Sequence, residues 1–244
     1  DPPVRLSFYP YASAEVDHYK NNTESNFSAG LDFKYGISDA FTLDATLIPD
    51  FGQTAFDKVE LNLGPFEQAF GENRAFFTEG TELFTKGNLF YSRRIGDTPL
   101  GFNNVQSALL ENEILVENPD KADLLNAIKI SGRTDNGLGI GFFNAFTKTT
   151  SAIIGDTLTG LNRELVTEPF ANYNIVVLDQ QYNQNSSITL INTNVTRNGH
   201  ARDGNVTGFL FDINNKKNSF NYSERQKWVM KISILKILQD LLQN

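Results

Sequence analysis

Apolar and polar residues alternate along long stretches of this chain, and that period of two constrains its fold more than any other feature. In Leu31-Asp32-Phe33-Lys34-Tyr35-Gly36-Ile37-Ser38 the apolar side chains hold the odd positions. Phe41, Leu43, Ala45 and Leu47 resume the pattern after Ser38-Asp39-Ala40, a gap short enough for a hairpin. Similar segments run from Arg5 to Asp17, Leu124 to Thr134, Leu138 to Thr150, Tyr173 to Tyr182, Ser187 to Thr196 and Val206 to Asn214. Turn-rich stretches such as Thr134-Asp135-Asn136-Gly137 separate them. The pattern predicts roughly eight to ten strands, mostly antiparallel neighbours.

Two architectures suit such strands. A soluble sandwich buries the apolar faces between two sheets; a membrane barrel turns them to lipid and keeps a polar lumen. Segments of about ten residues match the 9–11 of a tilted membrane strand better than the 5–6 usual in soluble sheets. Asp32, Lys34, Asp44, Thr46, Thr189 and Asn192 would then be lumen residues. A sandwich also has a polar outer face, so alternation alone leaves both architectures open.

Composition removes many activities. With no cysteine there is no disulfide, no thiolate zinc site and no cysteine nucleophile, and two histidines leave little room for imidazole metal chemistry. A net charge of −8 argues against nucleic acid as a partner, because phosphate neutralisation needs clustered Lys and Arg. Gly137-Leu138-Gly139-Ile140-Gly141 lacks the following helix and the Lys-Ser/Thr of a phosphate loop, so it reads as strand glycines in a curved wall. No cofactor is expected.

The strand rhythm breaks twice. Around residues 60–90, Pro65 stands where a first helical turn tolerates it, Gly71 where a helix stops, and Phe66 and Phe70 lie four apart. With Phe76 and Phe77 this predicts a packed non-strand insertion, folded into or under the wall. From Ser223 onward the period changes again: Ile234, Ile237, Leu238, Leu241 and Leu242 share one helical stripe. A helical tail over 223–244 is therefore expected beside a main domain over 1–222. It is either a capping or interfacial helix or a segment foreign to the rest.

Five blocks occur in a specific order: Leu43-Asp44-Ala45-Thr46-Leu47-Ile48-Pro49-Asp50-Phe51-Gly52-Gln53, Leu61-Asn62-Leu63, Phe66-Glu67, Glu72-Asn73-Arg74-Ala75-Phe76-Phe77-Thr78-Glu79-Gly80 and Leu89-Phe90-Tyr91-Ser92-Arg93-Arg94-Ile95-Gly96. On these blocks the chain, over about residues 4–222, resembles a barrel domain of unknown function from Bacteroidota outer membranes. That domain usually follows a family-nine carbohydrate-binding-like module. Thr54-Ala55-Phe56-Asp57 replaces the family's acidic run, Asn73 and Ala75 stand where Lys and Pro are common, and the tail from Glu224 does not match. The resemblance implies an all-β, antiparallel transmembrane β-barrel in a Gram-negative outer membrane, with outer-membrane lipid as its partner. The family's barrels look longer than this chain, so further strands or a partner chain are expected to complete the wall.

For the site, Asp44, Asp50, Glu67, Arg74, Glu79, Arg93 and Arg94 are the expected lumen network. They would form a selectivity constriction, bind an anionic substrate or, the favoured reading, make salt bridges pinning the insertion to the wall. In a strand Arg93 and Arg94 would face opposite sides, so at most one would enter the lumen. Glu67, Glu72, Glu79 and Glu82 could supply a glycosidase pair, but nothing marks one as acid and another as nucleophile. The expected role is passive transport, docking or an envelope role, without enzyme activity. The alternative is a carbohydrate-binding β-domain in which Tyr9, Tyr11 and Tyr173 stack on sugars, and a glycoside hydrolase comes last.

Overall fold

The computed structural model describes residues 5–19, 22–48, 71–72, 74–182, 185–199, 201–215 and 219–230. The alternating segments are strands: β1 (Leu6–Tyr19), β2 (Asn22–Gly36), β3 (Phe41–Leu47), β4 (Glu113–Glu117), β5 (Leu124–Arg133), β6 (Leu138–Thr147), β7 (Thr150–Asp156), β8 (Asn162–Glu168), β9 (Ala171–Tyr182), β10 (Ser186–Arg197), β11 (Gly204–Asn214) and β12 (Asn221–Met230). Nine of them form one antiparallel sheet in the order β1-β2-β3-β5-β6-β9-β10-β11-β12, and β4, β7 and β8 form a small second sheet. These twelve exceed the number expected from alternation, because β4, β7 and β8 are short and carry no long two-residue pattern.

The large sheet is not closed: among the described residues β1 and β12 are its two edges. The described residues thus form an open antiparallel wall and no closed barrel, the incomplete form that the sequence left open. The expected helix is also absent where the tail is described. Every residue from Asn221 to Met230 is registered against β11, from Asn214↔Asn221 to Asn205↔Met230. The row of backbone donors and acceptors offered by β11 outweighs a helical preference whose strongest stripe, from Ile234 on, lies outside the described residues.

The two faces of the wall differ. Ala127, Phe143, Ala145, Ile175, Val177 and Ile191 point inward and pack against Phe77, Leu83, Phe84 and Ile95 of the insertion. Burying Phe84 and Phe143, both under 3% exposed, stabilises this contact by about 1.5–3 kcal/mol each. The insertion is built from 3₁₀ turns, including Ala75–Phe77, Lys86–Asn88 and Ser92–Arg94. The turn expected at Phe66 and Phe70 lies outside the described residues. On β6, a Cβ at Gly139 would sit 2.9 Å from Leu83 and one at Gly141 3.0 Å from Phe84. These strand glycines are slots that receive the insertion.

Many outward positions from β1 to β11 are apolar, including Phe8, Phe33, Phe142, Leu178, Leu190 and Phe209. Leu178 and Leu190 lie mid-strand yet are 43% and 44% exposed, so no second layer of the described residues covers this face as a sandwich would. β12 departs from the pattern, with Glu224 and Gln226 registered outward beside Phe211 and Phe209.

Asn192 also departs from expectation: it points outward, within a row of asparagines. Asn144, Asn174, Asn194 and Asn205 are registered opposite one another across β6, β9, β10 and β11. Asn144 Nδ2 donates to Oδ1 of both Asn172 and Asn174 at 2.7 Å, and Asn192 Nδ2 donates to Asn205 Oδ1 at 3.1 Å and Thr207 Oγ1 at 2.8 Å.

The ends of the wall differ as well. β2–β3, β5–β6, β9–β10 and β11–β12 are joined at one end, while the insertion and the β7–β8 excursion leave from the other, which also carries the β1–β2 and β10–β11 connections.

Candidate functional site: the charged seam between insertion and wall

The insertion meets the wall along a seam of ionic contacts. β5 alternates inward Ala127, Lys129, Ser131 and Arg133 with outward Ile128 and Ile130, so the strand period itself delivers Lys129 and Arg133 to the inner face. Lys129 is 1% exposed. Its Nζ donates to the carbonyls of Phe76 at 2.6 Å and Glu79 at 2.5 Å, lies 3.5 Å from Asp44 Oδ2, and stands 4.6 Å over the Phe76 ring. Lys34, on β2, donates to Glu79 at 2.8 Å and lies 3.9 Å from Asp44. Two wall lysines thus grip one turn of the insertion.

A second cluster centres on Asp179 of β9, which is fully buried. It accepts from Lys86 of the insertion at 2.5 Å, Arg133 at 2.5 Å and Thr189 at 2.6 Å. A buried carboxylate is tolerable here because two cations and a hydroxyl satisfy it.

The insertion has its own internal tie. Arg74 forms a two-pronged pair with Glu72 at 2.9 and 2.8 Å, donates to the carbonyls of Ile95 and Ser92, and lies 4.2 Å over the Phe77 ring. Burial alone would raise the Glu72 carboxyl, but the hydrogen bonds from Arg74 and Ser92 outweigh it and hold it below the usual range. The hydrogen bond from Lys34 likewise holds Glu79 low.

Of the expected network, Asp44 and Glu79 come together through Lys34 and Lys129, while Arg74 belongs to the interior of the insertion. Arg93 and Arg94 are in a 3₁₀ turn, so the opposite-faces rule for strands does not apply to them. Arg93 donates to the Gly71 carbonyl, and Arg94 lies 6.0 Å over the Tyr91 ring. Asp50 and Glu67 lie outside the described residues. The residues that sequence reasoning missed are Lys86, Lys129, Arg133 and Asp179. The available signal was a charge standing at an otherwise apolar position, as in Ala127-Ile128-Lys129-Ile130 and Val177-Leu178-Asp179.

Two cavities flank the seam. One, about 450 Å³, is lined by Lys34, Asp44, Glu82, Lys86 and Arg133 near the end that carries the β2–β3 turn. The other, about 310 Å³, lies between Phe90, Tyr91 and Arg94 of the insertion and Tyr173 and Arg197 of the wall. Glu168 at its margin pairs with Arg197 at 2.7 Å. Tyr9 and Tyr11 are on β1, with four strands between them and Tyr173 on β9, so the three tyrosines form no common surface. Among the described residues no cluster of three His, Asp or Glu side chains has metal-holding geometry.

No curated protein and no solved structure matches the chain. One family model does, over residues 2–234, reaching past the boundary at 222 into the segment that looked foreign. This match covers every described strand of the wall together with the insertion, and by it the chain belongs to the family described as Domain of unknown function (DUF5916).

Proposed function

We propose that this chain is an outer-membrane β-wall whose inner face is occupied by its own insertion, acting in passage or docking without covalent chemistry. One observation carries the reading. Between the asparagine row and the β2–β3, β5–β6 and β9–β10 turns the outward face is mostly apolar, with Phe8, Phe142, Val176, Leu178 and Leu190 exposed, while the inward residues hold the paired charges and the insertion. A protein in water gains by the opposite arrangement, whereas lipid rewards this one. Strands longer than the soluble norm agree with it. The end that carries the β2–β3, β5–β6 and β9–β10 turns would face the periplasm, and the insertion and small sheet the exterior.

Glu72 and Glu79 are poorly suited to act as a glycosidase acid. Both are engaged by cations and held acidic, whereas a glycosidase acid requires a raised pKa. The test is reconstitution into lipid vesicles. The expected protein floats with the vesicles and resists extraction by alkaline carbonate; a detergent-free soluble monomer would refute the reading.

The cavity beside Tyr91 and Tyr173 favours a second reading, carbohydrate binding within the wall. Calorimetric titration with polysaccharide fragments tests it, and the absence of heat with any of them removes it.

A further inference from the structure

We infer that the outward asparagine lane is the line at which this wall leaves the hydrocarbon and enters the headgroup region, with the bilayer lying between the lane and the β2–β3, β5–β6 and β9–β10 turns. The inference rests on the membrane reading above and adds a depth and a tilt to it.

The geometry of the lane carries the argument. Its edge nearest the apolar belt is Asn126 on β5, Asn144 on β6, Asn174 on β9 and Asn192 on β10. Asn126 is registered with Phe146, and Asn192 with Val176, which is itself registered with Phe142. The edge therefore descends four residues, from the level of Phe146 to that of Phe142, over three strand spacings. That is about 13 Å along the strands for about 14 Å across them, a slope of roughly 40°. Membrane barrels tilt their strands by about 35–45°, so a line this steep across the sheet is level with the membrane plane. Extending the same slope the other way across β3 and β2 reaches the outward Phe27–Ala14 pair. This accounts for the apolar side chains continuing further along β1 and β2 than along β10.

Chemistry agrees with geometry. Amides in hydrocarbon are costly unless satisfied, and these bond partly to one another and leave remaining donors for water and headgroups. Trp228 is registered with Thr207 beside the lane and is 54% exposed, the place and manner of an interfacial tryptophan. Phe146 and Phe170 stack at 5.6 Å on the other flank. At the opposite border Tyr182 and Tyr222 stand exposed near the β9–β10 and β11–β12 connections, a second girdle.

The chain has no cysteine, so single-cysteine labelling is unambiguous. Leu178→Cys and Leu190→Cys report the belt, Asn174→Cys and Asn194→Cys the lane, and Lys148→Cys the exposed position beyond it. Each full-length variant carries an environment-sensitive fluorophore in phosphatidylcholine vesicles, with quenchers placed mid-chain, at the headgroup or in water. Mid-chain bromines are expected to quench the belt labels severalfold more than the lane labels. Headgroup nitroxides should show the reverse preference, and aqueous iodide should reach Lys148→Cys most. Lane labels quenched mid-chain as strongly as the belt labels would overturn the inference and leave the membrane reading standing. So would lane labels reached by iodide alone. If no lipid-borne quencher touches any label, both fall together.

Discussion

Replacing Lys129 by Met keeps most of the side-chain volume on β5 while removing the ammonium that joins wall to insertion. The carbonyls of Phe76 and Glu79 then lose their donor, and Asp44 keeps only Lys34, at 3.9 Å. Two buried acceptors left unsatisfied cost about 1–3 kcal/mol each. Sparing Lys129 its own desolvation returns part of this, so a net loss of roughly 2–4 kcal/mol is expected, near the low end for breaking a buried pair. Lys34→Met is the matched control. Its partner Glu79 has a side chain 65% exposed, and Lys34 itself is 45% exposed. An exposed pair contributes less than about 1 kcal/mol. Urea unfolding in matched detergent or lipid, followed by far-UV circular dichroism, gives both values. Limited proteolysis should cut Lys129→Met near Gly80 much faster than the parent. Equal losses for the two variants would refute the idea that Lys129 is the clamp.

Other outcomes follow from the same contacts. Arg74→Met strips the buried Glu72 of its main partner and should destabilise the protein by about 3–5 kcal/mol, read as a fall in urea midpoint. Gly141→Val drives branched carbons into Phe84 and should cost about 1–3 kcal/mol, with Gly141→Ala milder. Glu72, Glu79 and Glu113 have carboxyls lowered from 4.5, Glu113 to about 2 through its hydrogen bonds with Arg163 and the Leu110 amide. Their contribution is complete above the unfolded value and lost as pH falls through the folded ones, so the thermal midpoint should drop between pH 4.5 and 2. A flat profile there would contradict the pairing. Glu224→Val with Gln226→Val should stabilise the protein in lipid by about 1–3 kcal/mol and promote aggregation in water; stabilisation in water alone would place β12 outside the bilayer.

The strand segments were legible because alternation is a local property: β3, β5, β6, β9, β10 and β11 fall within a few residues of their expected limits. The insertion was legible as a break in that rhythm and as a cluster of phenylalanines, but its turns were not. Arg74, for example, is fixed by carbonyls 18 and 21 residues away, which no local pattern encodes. The seam was half legible. Asp44 and Glu79 were singled out as charges, whereas Lys129 and Asp179 only gain meaning once the register of β5 and β9 brings them under the insertion. β12 was misread because its helical periodicity is local and the β11 edge that overrides it is not.

The two rims of the sheet have a further consequence. Nine strands joined as an antiparallel meander leave β1 and β12 running in the same sense. Sealing one directly to the other would make a parallel seam. A cylinder in which every neighbour is antiparallel instead requires one, three or another odd number of strands inserted between those rims. Cross-linking cysteines placed along β1 and β12 would tell a direct seam from a bridged one.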